Sequence, residues 1–89
     1  MKLEDIKVGR TFRAKKPANC KGFFNDRTVV HVGRFDIQYD GPAVRNGSHY
    51  PKVTKEKFLQ WAALDVTDEL PAGRYQEWGV TPTQPKKGE

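Results

Sequence analysis

Eighty-nine residues make one domain, and a chain this short buries only a modest core. Hydrophobic residues are 36% and charged residues 30%; the two Trp, three Tyr and five Phe exclude a wholly disordered chain, because large rings supply most of the burial a small core needs. The single cysteine, Cys20, excludes an internal disulfide framework, and the opening MKLEDIKVG has no apolar run, so a cytoplasmic chain without a membrane-spanning segment is expected.

Leu3 to Gly9 reads as a lead-in turn. Arg10 to Lys15 alternates, with Phe12 and Ala14 on one face of a half-buried strand and Arg13 and Lys15 on the other. Lys16 to Asn25 contains Pro17, Asn19 and Gly22 and is expected to be a loop. Arg27 to Val32 is rich in β-branched residues, with Thr28, Val30 and Val32 on one face. Gly33-Arg34 can close a tight turn with glycine at its first central position, and Arg34 to Tyr39 follows with Phe35, Ile37 and Tyr39 facing inward. Asp40-Gly41-Pro42 breaks the strand. Asn46-Gly47 then predicts a hairpin joining Ala43-Val44 to His49-Tyr50, which Pro51 places at a sheet edge.

Thr54 predicts a helix N-cap, since its hydroxyl can accept from an orphan N–H two or three residues on. The helix spans about residues 54–63, with Phe58, Trp61 and Ala62, and Leu64 as a further candidate, facing the core. Asp65-Val66-Thr67 predicts a closing strand or extended exit, and Tyr75 and Trp78 fold back onto the body. Residues 1–80 form the domain, and 81–89, TPTQPKKGE, have no apolar anchor and are expected to be a disordered tail. The whole reads as mostly β with one short helix, bent into a small five-stranded barrel.

The net charge of +5 is uneven: residues 1–34 carry nine basic and three acidic residues, and residues 35–89 carry seven and eight. Such asymmetry hints at a polyanionic partner, against the plainer reading of a solvated surface. Arg10, Arg13, Lys15, Lys16 and Lys21 lie on one strand and the loop after it, where a basic row can track phosphates. Phe23 and Phe24 follow directly, and an aromatic beside a basic strand can stack on a base. The competing role for at least one of these rings is to plug the end of the barrel. Asp65, Asp68 and Glu69 form an acidic cluster that can meet a basic partner protein or simply solvate the exit loop.

Cys20, His31 and His49 lack metal-ligand spacing, so no metal site is expected. Asp36 and Asp40 share a strand face, but exposed carboxylates at strand ends are commoner than acid–base pairs. Neither a phosphate-binding glycine loop nor a nucleophile elbow is present, so neither an enzyme nor a cofactor is implied.

Across DRTVVHV, QYDGPAVRNGSHYPKVTKEKFLQWA and DVTDELP, about residues 9 to 78, the chain resembles small proteins encoded by bacteriophages. It also looks like SH3-like barrels, in which five short strands wrap a small core with a helical turn inserted. The resemblance implies a binding scaffold with an accessory phage role in the host cytoplasm, and supplies no catalytic residues. The helix is longer than the usual single turn of such barrels. Two readings follow: a module binding nucleic acid non-specifically through the basic N-terminal face, or an interaction module that inhibits or modulates a host bacterial protein.

Overall fold

A computed structural model describes residues 1–44, 49–70 and 75–79. The long strands are β1 (Thr11–Ala14), β4 (Arg27–Val32), β5 (Asp36–Asp40), β6 (Lys52–Thr54) and β7 (Ala62–Asp65), with a two-stranded hairpin β2 (Asn19–Cys20) and β3 (Phe23–Phe24) and one helix, α1 (Lys55–Trp61). Short 3₁₀ turns at Leu3–Asp5 and Thr67–Glu69 flank them. The five long strands form one antiparallel sheet in the order β6-β5-β4-β1-β7. Among the described residues, the mostly-β composition with one α-helix is as the sequence predicts. The ladder ends at β6 and β7, so the hydrogen-bonded sheet is not closed into a barrel.

Thr54 caps α1 as expected, its hydroxyl accepting from the Lys57 N–H at 3.2 Å. The helix ends at Trp61 rather than Ala63, without Gly or Pro. Tertiary pairing stops it: Ala62 pairs with Ala14 on β1, and the Lys15 N–H donates to the Trp61 carbonyl at 2.8 Å. Phe58 is fully buried at the centre of the core, edge-on to Phe12 at 5.6 Å and tilted against Trp61 at 5.4 Å and Tyr39 at 6.4 Å. Ile6, Val29, Ile37 and Ala62 complete this inner cluster, with Val32, Val53 and Leu59 packed at its margin. Leu64 does not join it: it follows a register shift on β7 and is 44% exposed.

The inward face of β4 also differs from simple alternation. Val29 pairs with Tyr39 and His31 with Gln38, which leaves Val30 as an extra residue in a bulge. Val29 and Val32 therefore face the core, three residues apart, and Thr28 and Val30 do not share their face. The β4–β5 turn is shifted by one residue from expectation. The Gly33 N–H donates to the Asp36 carbonyl at 2.8 Å, so Arg34 and Phe35 are the central residues and Gly33 needs no positive φ. Phe35 thus leaves the strand for the hairpin tip, where it is 70% exposed instead of facing inward.

Residues 16–25 are not a plain loop. They hold the β2–β3 hairpin, turned by Lys21 (φ 53°) and Gly22 (φ 90°) and braced by the Asn19 side chain accepting from the Gly22 N–H at 2.9 Å. Ala43, Val44, His49 and Tyr50 lie outside strands, and the Asn46-Gly47 turn falls outside the described residues. The strand at this edge of the sheet is instead β6, just after Pro51. The tail at 81–89 also lies outside the described residues.

Candidate nucleic-acid interface

The outward face of β1 and β4 is covered, which alternation alone does not reveal. Arg13 points there as predicted, yet is only 8% exposed. Its Nε donates to Asp26 Oδ1 at 3.0 Å and its Nη2 to Asp26 Oδ2 at 2.9 Å. This is the forked geometry of a bidentate arginine–carboxylate pair. The guanidinium also lies 3.9 Å from the Phe24 ring centroid, and Phe24 packs on Trp78 at 4.8 Å. Residues 75–79 run back along β3, with the Phe24 N–H donating to the Gln76 carbonyl and the Trp78 N–H to the Gly22 carbonyl, both at 2.9 Å. Tyr75 adds a hydroxyl contact to Thr28 at 2.9 Å, and Thr28 meets Thr11 at 2.7 Å. Burial raises the Tyr75 phenol above its usual value, with Asp40 and Asp26 adding to the rise and Thr28 opposing it. The expected fold-back of Tyr75 and Trp78 is therefore present, and it builds a small polar-aromatic layer.

This layer changes the candidate site. Arg13 is not part of an exposed basic row, because its charge is consumed by Asp26 beneath the hairpin. Phe24 is engaged on its ring by Arg13 and Trp78, and Phe23 is half-buried beside Glu77.

Arg10 is also committed. Its Nε donates to Asp65 Oδ2 at 2.7 Å, and its Nη2 reaches Asp68 Oδ2 at 3.5 Å. The basic candidate and two of the three acidic candidates thus face each other across β1 and β7. Burial alone would raise the Asp65 carboxyl, but hydrogen bonds from Arg10 and Thr67 outweigh it and hold it below its ordinary value. The Arg10 guanidinium is correspondingly raised, first by its Asp65 hydrogen bond. Glu69 is exposed nearby in the 3₁₀ turn.

Lys15, Lys16 and Lys21 remain exposed. None has a carboxylate partner among the described residues. Lys15 and Lys16 continue from the end of β1, and together with Ala14, Gln60 and Trp61 they line an open hollow of about 240 Å³. A second open hollow of about 600 Å³ is lined by Met1, Asp5, Lys7, Arg10, Phe12, Ala63 and Asp65, and mixes both charge signs.

Sequence reading overlooked Arg27. It pairs with Phe12 at the start of β4, so its side chain lies on the core side of the sheet, with its guanidinium carbon 4.1 Å from the Trp61 ring centroid and 4.3 Å from that of Tyr39. Taking Val29 rather than Val30 as the inward residue would have placed Arg27 there, since the two are two apart. The bulge at Val30 hid that phase.

Among the described residues, Cys20, His31 and His49 do not gather into a metal-binding group. Asp40 accepts from the Gly41 N–H at 2.8 Å, a local turn bond. No described helix is long and apolar enough to cross a membrane. Comparison with known protein families, with curated proteins and with solved structures finds no match for this chain.

Proposed function

We propose that this protein is a small non-enzymatic binding module that holds nucleic acid weakly and without sequence preference, in an accessory phage role in the host cytoplasm. The observation that carries the reading is the unpaired charge of Lys15, Lys16 and Lys21: these lysines are exposed, follow one another from the end of β1 into the hairpin, and have no acid partner among the described residues. Exposed lysines of this kind bind phosphate by counterion release. An SH3-like barrel is the finer fold reading. It draws support from the meander β1-β4-β5-β6, the return of β7 to β1, and the helix between the last two strands.

A labelled single-stranded oligonucleotide titrated at rising salt tests this. With three phosphate contacts, log affinity should fall against log salt with a slope of about −2 to −3. Replacing both Lys15 and Lys16 by alanine should weaken binding and flatten that slope. Absence of binding at low salt would overturn the reading.

The alternative, a module that inhibits or modulates a host protein, draws on Phe35. This ring is 70% exposed at a hairpin tip, with the Arg34 guanidinium 5.4 Å from its centroid. Exposed aromatic and arginine side chains are the usual anchors of protein interfaces. The acidic cluster favours it less, since Asp65 and Asp68 already pair with Arg10. Capture of a bacterial partner that survives nuclease and is lost in Phe35→Ala would favour this reading over the first.

A further inference from the structure

Two backbone contacts bring the end of β1 against the end of α1. The Lys15 N–H donates to the Trp61 carbonyl at 2.8 Å, and Ala14 pairs with Ala62. Between these two ends lies the open hollow of about 240 Å³, lined by Ala14, Lys15, Lys16, Gln60 and Trp61. Lys15, Lys16 and Gln60 are exposed, and Trp61 is half-buried. No carboxylate lines this hollow, and neither lysine has an acid partner among the described residues.

The hollow therefore joins two unneutralised ammonium groups to an aromatic wall. The indole is held in place by Phe58, 5.4 Å away between centroids, and by the Arg27 guanidinium carbon, 4.1 Å from its ring. A side chain already fixed loses little further freedom when a second group packs against it. Phe24, the ring nearest the basic strand in sequence, is by contrast engaged by Arg13 and Trp78. A volume of about 240 Å³ lies below the about 300 Å³ at which drug-sized ligands begin, and suits a single flat ring with phosphates at its rim.

We infer that this hollow takes one base of a single-stranded nucleic acid, packed against the Trp61 indole, while Lys15 and Lys16 meet the phosphates beside it. The inference rests on the nucleic-acid reading above and adds a preference for unpaired strands to it. A base inside a duplex is stacked and paired; an unpaired base is free to present its ring to an aromatic side chain. The Gln60 amide carries both a donor and an acceptor, so it can meet the edge of any base, which keeps the contact tolerant of sequence. The lysines set the salt dependence of binding, and Trp61 sets the part that salt does not touch.

The experiment uses the ¹⁵N-labelled full chain and follows the tryptophan indole Nε1–H resonances at low salt, with Trp78→Phe assigning the Trp61 signal. The probes are a thymidine oligonucleotide, an abasic deoxyribose-phosphate oligomer of the same length, and thymidine monophosphate. The expected result is a saturable shift of the Trp61 Nε1–H with the oligonucleotide, and about tenfold weaker binding of the abasic oligomer with the same salt slope. Trp61→Phe should shrink that tenfold preference and leave the slope unchanged. Lys15→Ala should instead flatten the slope by about 0.7 for both oligomers and leave the preference intact. Should Trp61→Phe fail to fold, the comparison of the two oligomers on the wild-type chain decides alone. If the oligonucleotide binds but the abasic oligomer binds equally well, or the Trp61 signal does not move, the base site is overturned and the lysine-surface reading stands. If thymidine monophosphate moves the Trp61 signal and the oligonucleotide does not bind, the hollow takes a free nucleotide, and the inference falls together with the nucleic-acid reading. If no probe has an effect, both are overturned.

Discussion

The two faces of the central sheet solve the same problem in different ways. The inner face buries Phe12, Val29, Ile37, Phe58 and Ala62, all apolar. The outer face of β1 and β4 buries an ion pair, Arg13–Asp26, with a hydroxyl chain through Thr11, Thr28 and Tyr75, under Phe24 and Trp78. On the inner face, exclusion of water is itself the driving force, and ring shapes set the fit. On the outer face, burial is a cost that must be offset by complete pairing. The contrast teaches that a polar strand face is not necessarily a solvent face; a short hairpin and a returning segment suffice to close it.

The comparison breaks most sharply at Phe58. Phe58→Ala removes a fully buried ring that touches Phe12, Tyr39 and Trp61, and should cost about 3–5 kcal/mol. Denaturant unfolding would measure it, and a loss under about 1 kcal/mol would mean that the helix does not pack on the sheet as described. No single polar replacement should restore the loss.

The outer layer should behave otherwise. Asp26→Leu alone strands the Arg13 charge and should cost about 3–5 kcal/mol, as breaking a buried pair does. Arg13→Met combined with Asp26→Leu should recover most of that cost, because replacing both partners with apolar groups of similar volume is often neutral. A double variant as unstable as the single would show that the pair cannot be exchanged for packing. The likeness between the two layers would then be closer than their chemistry implies. The proposed phosphate binding at the exposed lysines should survive in the double variant, since Arg13 is buried against Asp26.

Much of the inner layer was legible from residue type and period: the Thr54 cap, Phe58 and Trp61 on one helix face, and Phe12 inward on β1 all match the structure, while Ala14 is buried outside the core cluster. The failures have a common cause. Val30 is an added residue, Arg34-Phe35 takes the turn instead of Gly33-Arg34, and Ala62 leaves the helix for the sheet; each is a one- or two-residue decision made by strand pairing, which local propensity does not encode. The candidate site suffered more. A row of Arg and Lys in sequence gives charge but not partners, and Asp26, Asp65 and Asp68 come from elsewhere in the chain to neutralise Arg13 and Arg10. Arg27 was invisible for the converse reason: its distinction is the absence of such a partner among the described residues.

A smaller test lies at the rim. The Asp65 carboxyl is held below its ordinary value, so its contribution is present above the unfolded-state pKa of about 3.9 and is lost as pH falls through the lower folded value. Asp65→Asn should therefore be less stable than the parent near neutrality, and the gap should close as pH falls through the depressed folded value of Asp65, where both chains become uncharged at this position. Because Arg10 is exposed, the effect should be modest and should shrink with added salt, unlike that of the Arg13–Asp26 pair. A gap that persists unchanged into acid would mean that the difference does not come from the charge of Asp65, since asparagine can still accept from the Thr67 N–H.

The smallest expected effect is also the one that separates stability from function. Lys21 sits at φ 53°, a left-handed conformation that favours glycine or asparagine, at the tip of the hairpin that roofs the outer layer. Lys21→Asn keeps a side chain and fits this turn better, so it should stabilise the protein by about 0.5–1 kcal/mol and raise Tm by a few degrees. The same change removes one of the three exposed lysines of the proposed surface. If that lysine meets phosphate, the variant should be more stable and yet bind an oligonucleotide less tightly, with the salt slope flattened by about 0.7 to 0.9. Thermal melts and titrations on one preparation give both numbers. A variant with higher Tm and undiminished binding would remove Lys21 from the proposed interface, leaving Lys15 and Lys16 to account for it. A variant with lower Tm would mean that the strained lysine is offset by contacts within the hairpin, and that the roof depends on its tip.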